Sequence, residues 1–304
     1  MLLKEKMNLE KLKIGKVLKN AEFDWMGLTA ENYIGKKVLT YLNEYSYLKE
    51  IEKNESIVAI ITTKEIAGRL EKSNYGILVV ENPKKSFFEI HNLLAENNFY
   101  YTIEENKISK EAIISPNAYI GENNIVIEEN VLIEAGVTIY PNTIIKKGSI
   151  VRSGSTIGGN GFHFGRFEDE VIQLHSIGKT ILNENVEIKN NSCIDKGVFS
   201  DTILEKNVKV DNLIHIGHDV KIGENTFLAA CSIVGGRTKI GKNNFIGINS
   251  TLRNGLEIGN NVRINMGAVV TKNVYDNESV TGNFAISHDK YLKIFKYLLK
   301  KIGD

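Results

Sequence analysis

Two histidines and an aspartate lie close together in the segment HIGHDVKIG, residues 215–223. The histidines are His215 and His218, and Asp219 directly follows the second. Because the pKa of histidine lies near neutrality, an imidazole here could accept a proton from a nucleophile, and a neighbouring carboxylate could orient it. Polar residues on the outside of a repetitive fold would give the same short pattern, so the cluster alone leaves both interpretations open.

A six-residue period indicates which elements position this cluster. Steps of six from Leu204 to Val270 meet an aliphatic residue every time, and an earlier register with the same period runs from Ile127 to Ile157. A helix would repeat apolar residues every three or four positions and a strand every two, so a period of six indicates hexapeptide repeats. We predict a mainly β fold with a left-handed parallel β-helix over residues 105–284, in which three hexads form a coil of about 18 residues.

The same period separates structural from chemical residues within the segment 215–223. Ile216 and Ile222 occupy the inward positions, which leaves the two histidines and the aspartate free of core packing. One coil of about 18 residues after His218 lies Gly236, which we expect beside it on the same edge. A glycine there would let a thioester carbonyl approach its backbone N–H, so Gly236 is a candidate oxyanion donor. An ordinary corner of the β-helix would also favour a glycine.

Other elements are predicted on both sides of the repeat and within it. Residues 1–104 contain two buried strand-like runs, 56–63 and 76–82, and two helix-like segments, which together predict a small α/β domain. Residues 285–304 predict an amphipathic C-terminal helix with a lysine-rich polar face. The period is interrupted at residues 158–176, and an interruption of this length is typical of a loop that carries function.

The composition excludes several classes of protein. A net charge of +1 and a pI near 7.7 give no general case for nucleic acid as a partner. Cys193 and Cys231 are too few for a disulfide framework, and we expect them to face the interior or a neighbouring coil without chemistry of their own. The first residues lack the apolar core of a signal peptide, and no stretch approaches the roughly 18 apolar residues that span a bilayer. We therefore expect a cytoplasmic protein with no integral membrane segment.

Three stretches resemble one family of hexapeptide-repeat enzymes. SGSTIGGNGFHFG (153–165), IDKGVFSDTIL (194–204) and VDNLIHIGHDVKIG (210–223) are similar to the UDP-3-O-acylglucosamine N-acyltransferases of lipid A biosynthesis. That family also has an α/β domain before its β-helix and a helical tail after it. The resemblance implies a homotrimer with active sites between neighbouring subunits, which moves a 3-hydroxyacyl chain from acyl carrier protein to the amine of a UDP-linked amino sugar. It implies no cofactor beyond the acyl donor.

The resemblance also implies roles for individual residues of the β-helix. His218 matches the catalytic histidine of the family, so it is implied as the general base, and Asp219 and His215 are candidates to orient it or to contact the acceptor. Asp211 and Asn212 match further family positions, and we predict that they bind substrate. Three other residues match the family without an assigned role: Asp195, Lys196 and Asp201.

In the N-terminal domain, the segment VLTYLNEYSYLKEI (38–51) resembles the uracil-binding segment of the family. Tyr41 and Tyr47 match the two aromatic positions that hold the base. Glu44 stands where the family often has an asparagine that contacts uracil, and Gly255 stands where it often has a second histidine. Both departures favour a related amino sugar as an alternative acceptor. The His-x-x-His-Asp form resembles the UDP-N-acetylglucosamine O-acyltransferases, which lack the N-terminal domain.

Other assignments keep two interpretations. His163, between Phe162 and Phe164 in the interrupting loop, is predicted to line the acceptor or acyl pocket, or else to belong to an ordinary aromatic cluster. The lysines of the C-terminal helix could contact the acidic acyl carrier protein or simply face solvent.

Three alternative functions differ from the N-acyltransferase hypothesis in the acyl donor or in the class of protein. One alternative uses acetyl- or short-acyl-coenzyme A to modify a nucleotide sugar of a surface polysaccharide. A second is a zinc lyase of the γ-carbonic anhydrase type, which would need His175, His215 and His218 to converge on one metal. A third is a non-catalytic scaffold that binds a sugar nucleotide. The principal hypothesis predicts no metal site.

Overall fold

The structure, a computed structural model, describes residues 7–29, 33–168, 170–282 and 285–302 of the 304. The first six residues of the predicted N-terminal domain and the last two of the predicted C-terminal helix lie outside this description.

Three parallel sheets form the long central part of the molecule, and the chain moves from one to the next every six residues. The first face has eight strands: Lys107–Ile108, Ile125–Ile127, Thr143–Ile145, Thr180–Leu182, Thr202–Leu204, Lys221–Ile222, Lys239–Ile240 and Glu257–Ile258. The second face has nine: Ile113–Ile114, Leu132–Ile133, Ile150–Val151, Glu187–Ile188, Lys209–Val210, Phe227–Leu228, Phe245–Ile246, Arg263–Ile264 and Ser279–Val280. The third face has eight: Tyr119–Ile120, Thr138–Ile139, Thr156–Gly159, Cys193–Asp195, His215–Ile216, Ile233–Val234, Thr251–Leu252 and Val269–Val270. The predicted left-handed parallel β-helix is confirmed.

The interior of the β-helix contains the aliphatic residues that the period selects. Every position in steps of six from Leu204 to Val270 is buried, and the same holds from Ile127 to Ile157. Ile108, in the first strand of the first face, is 42% exposed because it lies in the first coil and has a neighbouring coil on one side only.

Asparagines with positive φ form a line along one corner. Their side chains are bonded amide to amide from coil to coil, with distances of 3.0 to 3.3 Å along Asn207, Asn225, Asn243, Asn261 and Asn277. Asparagine tolerates the left-handed conformation better than other non-glycine residues, so it suits a corner that repeats in every coil.

The N-terminal domain contains a five-stranded sheet covered by helices. The strand order is Lys16–Lys19, Gly76–Val79, Ile57–Thr62, Val38–Leu42 and Trp25–Met26. The helices are α1 (Leu48–Glu52), α2 (Lys64–Leu70) and α3 (Pro83–Glu96), with 3-10 turns at Leu9–Leu12 and Tyr45–Tyr47. A separate antiparallel pair joins Met7–Asn8 to Glu22–Phe23. Both predicted strands and both predicted helices are present. Helix α3 starts at Pro83 because Asn82 caps it, accepting a hydrogen bond from the Lys85 N–H at 3.0 Å.

The interrupting loop joins the two domains. It leaves the third face after Thr156–Gly159, forms an antiparallel hairpin of Phe164–Arg166 with Val171–Gln173, and returns at Thr180–Leu182. Leu174 from this loop and Phe199 from the next coil are buried in the core of the N-terminal domain.

Polar contacts, some partly buried and some exposed, hold the loop against the N-terminal domain. The His91 Nε2–H of α3 donates to the His175 carbonyl at 2.8 Å, and Asn92 makes two further bonds to the loop backbone. The Trp25 Nε1–H donates to the carbonyl of Phe199 at 3.1 Å. The loop is therefore fixed by the domain that precedes the repeat.

A helix of fifteen residues, α4 (His288–Ile302), follows the last coil. Its apolar face is exposed in the single chain, with Tyr291 and Ile294 about half accessible. Within the described ranges, no helix combines the length and the apolar character that a bilayer crossing requires.

Candidate active site

His218 and Asp219 form a buried pair at one edge of the β-helix. The Nδ1 of His218 lies 2.6 Å from Oδ2 of Asp219, and both residues are less than a tenth exposed. Because a carboxylate accepts hydrogen bonds, Nδ1 carries the proton, and Nε2 is left with its lone pair free to accept one. This geometry gives the neutral imidazole the form that a general base requires.

Asp219 is itself held by the backbone of residues 198–200 in the preceding coil. Its carboxylate accepts hydrogen bonds from the N–H groups of Val198, Phe199 and Ser200 at 2.7 to 3.1 Å, and from the Ser200 hydroxyl at 3.0 Å. Burial alone would raise the pKa of Asp219, but the bonds from His218 and from the backbone outweigh burial and lower its pKa. The prediction that this aspartate has no packing role is wrong, because it joins the histidine to residues 198–200.

The corner that contains Asp219 differs from the corner that asparagines line. Asp219, Arg237 and Gly255 lie one coil apart with φ of 59°, 62° and 72°. The Arg237 N–H donates to the carbonyl of His218 at 2.7 Å, which ties consecutive coils together at this point. A left-handed arginine costs roughly 1–2 kcal/mol more than a glycine would. Such local strain occurs more often at functional sites than elsewhere.

Gly236 lies directly against the imidazole, as the 18-residue offset predicts. A methyl group built on Gly236 would come within 2.8 Å of Nε2 and 2.9 Å of Cε1 of His218. Only glycine therefore leaves the imidazole undisturbed and its Nε2 accessible.

The interrupting loop covers the other side of the histidine. The rings of His163 and His218 are 5.8 Å apart between centroids, and His163 also packs against Phe88 of α3 and Phe199. Burial, with smaller contributions from His218 and Arg237, lowers the pKa of His163 to about 4. His163 is therefore neutral at pH 7. The structure brings it to the site, whereas its neighbour Phe162 is 82% exposed.

A cavity of about 410 Å³ begins in the N-terminal domain and reaches the β-helix. Tyr41, Tyr47 and Glu44 line one part of it, and Lys84 and Arg237 bring two positive charges to the other. The Nε of Arg237 is buried and has no hydrogen-bond partner among the described residues. Because a buried, unpaired guanidinium nitrogen is costly, this arrangement favours an anionic ligand in the cavity.

Sequence reasoning missed Lys84 and Arg237. Arg237 carried a usable signal, because it lies 18 residues after Asp219 at a left-handed corner position, where the repeat most often places asparagine or glycine. Lys84 follows Pro83 at the start of α3, and nothing in the repeat connects that helix to the β-helix.

His215 does not join the buried pair. It points outward from the third face, and its Nε2 lies 3.8 Å from Oδ2 of Asp195. The other matched residue of that stretch, Lys196, is buried with its Nζ 3.5 Å from the carbonyl of Pro141. Burial lowers the pKa of Lys196.

The two cysteines lie on the outside of the β-helix. Cys231 is exposed at a corner, and Cys193 is partly exposed on the third face, where its thiol contacts the carboxylate of Asp195 at 3.8 Å. The prediction that both face the interior or a neighbouring coil is wrong for Cys231, whereas Cys193 lies opposite His215 of the neighbouring coil.

Asp211 and Asn212 lie at a different corner from His218. They follow the strand Lys209–Val210 of the second face, whereas His218 follows the strand His215–Ile216 of the third. The carboxylate of Asp211 accepts bonds from the backbone and side-chain N–H groups of Asn212, both at 2.8 Å. One chain alone therefore does not bring these two residues to the histidine.

The three histidines of the zinc-lyase alternative do not form a metal-binding group in the described part of the chain. His218 bonds to Asp219, His215 faces Asp195, and Nε2 of His175 lies 3.5 Å from Oε1 of Glu96 at the loop surface.

Comparisons with known proteins place this geometry in context. The family profile of the bacterial transferase hexapeptide (six repeats) matches residues 124–159, 201–236 and 237–272. These three segments of the chain therefore match the hexapeptide repeat. A protein of Acidovorax sp. (strain JS42) named UDP-3-O-acylglucosamine N-acyltransferase is 47% identical over 129 residues, which is 42% of this chain and 40% of that protein. A protein of the same name from Caulobacter vibrioides (strain NA1000 / CB15N) is 45% identical over 148 residues, 49% of this chain and 44% of that protein.

The predicted resemblance to these N-acyltransferases is confirmed within the matched stretches. The matches span 40 to 44% of the length of these two relatives. Among solved structures, the UDP-N-acetylglucosamine acyltransferase of Francisella novicida superposes with a TM-score of 0.50 at 22% identity, covering 65% of this chain and 72% of that one. At this identity the similarity supports the fold alone.

Proposed function

We propose that this protein is an N-acyltransferase that moves a 3-hydroxyacyl group from an acyl carrier protein thioester to the amine of a UDP-linked amino sugar. The observation that carries the proposal is the buried His218–Asp219 pair beside Gly236, one residue before the arginine that lines the tyrosine cavity. The names of the curated relatives supply N-acyl transfer and a UDP-linked acylglucosamine as the acceptor class. The acyl carrier protein donor is the one that the family resemblance implies.

The reaction uses each of these groups in turn. The amine nitrogen of the sugar attacks the thioester carbon, and Nε2 of His218 takes the proton that the nitrogen loses. The carbonyl oxygen becomes negatively charged and accepts a hydrogen bond from the Gly236 N–H. Losing such a donor raises the free-energy barrier by about 2.7–4 kcal/mol. When the carbon–sulfur bond breaks, His218 returns the proton to the leaving thiolate. Asp219 holds the imidazole in one tautomer throughout.

The cavity accounts for the nucleotide part of the acceptor. Tyr41 and Tyr47 offer aromatic surfaces for uracil, and Lys84 with Arg237 offers charge-assisted hydrogen bonds for the diphosphate. Because Arg237 directly follows Gly236, a diphosphate bound there places the attached sugar toward the histidine. Glu44 also lines the cavity and is the candidate determinant of which nucleotide sugar is bound.

A homotrimer would complete the site. Asp211 and Asn212 lie at another corner of the same coil, so they reach a His218 only when a neighbouring subunit supplies it. The exposed apolar face of α4 supports association with further copies. The lysines of the same helix offer a docking surface for the acidic acyl carrier protein: Lys290, Lys293, Lys296, Lys300 and Lys301. We place the protein in the cytoplasm, in agreement with its two free cysteines.

Mass spectrometry of the products tests the donor and the acceptor together. The protein would be given the UDP-linked amino sugar with either 3-hydroxyacyl carrier protein or acetyl-coenzyme A. We expect an amide product from the first donor only. A product from acetyl-coenzyme A alone would replace the proposal by its short-acyl alternative, and no product from either donor would contradict acyl transfer.

The cavity is tested separately by Arg237→Gln. Removing the charge should raise KM for the nucleotide sugar on the order of 10- to 100-fold, with a smaller change in kcat, because the diphosphate is bound in the ground state as well as in the transition state. Isothermal titration calorimetry with UDP should show the same loss of affinity. Arg263→Gln, which removes a charge from the second face, is the matched control. Equal KM values for Arg237→Gln and the wild type would exclude this diphosphate site.

A further inference from the structure

A second cluster of reactive side chains lies on the third face, apart from the His218–Asp219 pair. Cys193 and His215 are directly opposite each other on neighbouring parallel strands. Asp195 lies two residues after the cysteine in the same strand, so its side chain is on the same side of the sheet. The strand register thus brings a thiol, a carboxylate and an imidazole close together on the outer surface of the sheet.

The distances within this cluster are close to those of a metal site. The Sγ of Cys193 lies 3.8 Å from Oδ1 of Asp195, and the Nε2 of His215 lies 3.8 Å from Oδ2 of Asp195. One ligand atom from each of the three residues lies within 4.8 Å of the other two. Ligand atoms bonded to a tetrahedral zinc ion are separated by about 3.4–3.6 Å, given the usual bond lengths to sulfur, nitrogen and oxygen. Side-chain movements of up to about 1 Å would therefore bring the group to metal-binding distances.

The environment leaves the carboxylate without a strong partner. Asp195 is 6% exposed, and among the described residues the chargeable groups that act on it are His215, at 3.8 Å, and the more distant His218. Its neighbour Lys196 points its ammonium group toward a backbone carbonyl. A buried carboxylate normally has closer donors, because its desolvation is costly.

The protonation of the cluster agrees with this interpretation. Burial raises the pKa of Asp195, with partial compensation from the charge of His215, and burial with the nearby Asp195 raises the pKa of the Cys193 thiol to about 11. A metal ion bound at this cluster would take the place of the proton on the Cys193 thiol.

We propose that Cys193, Asp195 and His215 bind a divalent transition metal of the zinc type. Thiolate, imidazole and carboxylate together are the ligand set that zinc takes in proteins, and the mixture disfavours magnesium or calcium, which prefer oxygen ligands alone. The imidazole side of the cluster is exposed, so the metal can enter from solvent and a water molecule completes a tetrahedron. The site does not depend on the proposed acyl transfer.

Metal titration of the intact protein tests this site. Protein freed of metal by a chelator would be titrated with Zn²⁺ against a colorimetric indicator, and with Co²⁺ as a spectroscopic probe of the thiolate ligand. We expect one Zn²⁺ per chain, and a thiolate-to-cobalt charge-transfer band. We also expect a higher Tm when zinc is bound to the folded state.

Two variants and one matched control locate the metal. Cys193→Ser should abolish the cobalt band and weaken zinc binding on the order of 100-fold, and His215→Ala should weaken it similarly without affecting the fold, because that residue is exposed. Cys231→Ser removes the other free cysteine and should retain both the band and the affinity. Zinc affinity of wild-type strength in Cys193→Ser or His215→Ala would overturn the proposal, as would a wild-type protein that takes up no zinc at millimolar concentration.

Discussion

The uninterrupted coils after Leu204 and the coils around the loop at residues 158–176 follow the same repeat but serve different purposes. In the uninterrupted coils, strands pair 18 residues apart until the last coil, where the spacing is 16. The inward residues are aliphatic, and asparagines occupy one corner. Around the loop the spacing changes, and His163, Val198 and Phe199 pack against or bond to the His218–Asp219 pair. The regular region supplies a rigid edge. The interruption supplies the groups that enclose and orient its reactive side chain.

The strongest test of this difference is His218→Ala compared with His215→Ala. The two residues lie three apart in one coil, but only the first is buried against a carboxylate. We expect His218→Ala to lower kcat by about 10²–10⁴-fold, because the proton acceptor is lost. Tm should fall only modestly, because the Asp219 carboxylate loses one hydrogen bond but keeps its three backbone donors. Steady-state kinetics and thermal unfolding measure both quantities. Equal losses of kcat in the two variants would contradict the assignment of the base.

Asp219→Ala should combine a loss of activity with a loss of stability. The substitution leaves three buried backbone N–H groups without their acceptor, so we expect the free energy of unfolding to fall by about 3–5 kcal/mol. Asn225→Ala, at an exposed corner with a similar φ, should cost only about 1 kcal/mol. Urea unfolding compares them. Similar costs would mean that Asp219 has no special role in holding the loop.

Ile222→Ala probes the regular region without touching the site. This residue is fully buried in the narrow core, so we expect the free energy of unfolding to fall by about 2–4 kcal/mol. The kcat of the folded variant should equal that of the wild type. A large decrease in kcat at a temperature where the variant remains folded would show that packing in the regular coils also affects the catalytic rate.

The contact between the loop and the N-terminal domain should respond to pH through His91. Burial lowers the pKa of His91 to about 4, below its ordinary value of 6.5, so the folded protein excludes a proton that the unfolded chain binds. Stability should be independent of this residue above pH 6.5. It should then fall by up to about 3 kcal/mol as the pH decreases from 6.5 to 4. Urea unfolding at several pH values measures this loss. His91→Gln should reduce the dependence, and an unchanged dependence would assign it to other groups such as His163.

The sequence predicts the regular region well because the period itself encodes it. Adding 18 to His218 is enough to place Gly236 beside it, and the aliphatic positions identify the core. The bond between Asp219 and the backbone of residues 198–200 could not be predicted, because the loop changes the spacing and no periodic rule applies across it. Strand alternation should have placed Cys193 outside, since the next residue, Ile194, is an inward one. Arg237 could have been found from its corner position, but the cavity it lines depends on how the first domain docks.

The loop also has a consequence for how the chain folds. Thr143 pairs with Thr180 across 37 residues (180 − 143), whereas Ile125 pairs with Thr143 across 18, so the loop adds 19 residues to one turn of the winding. The entropic cost of closing a loop rises only by about 0.6 kcal/mol for each doubling of its length. The added segment therefore increases the entropic cost of closing this turn only slightly. The remaining coils keep their short-range pairings, so the β-helix can form coil by coil on either side of the loop before the first domain docks onto it.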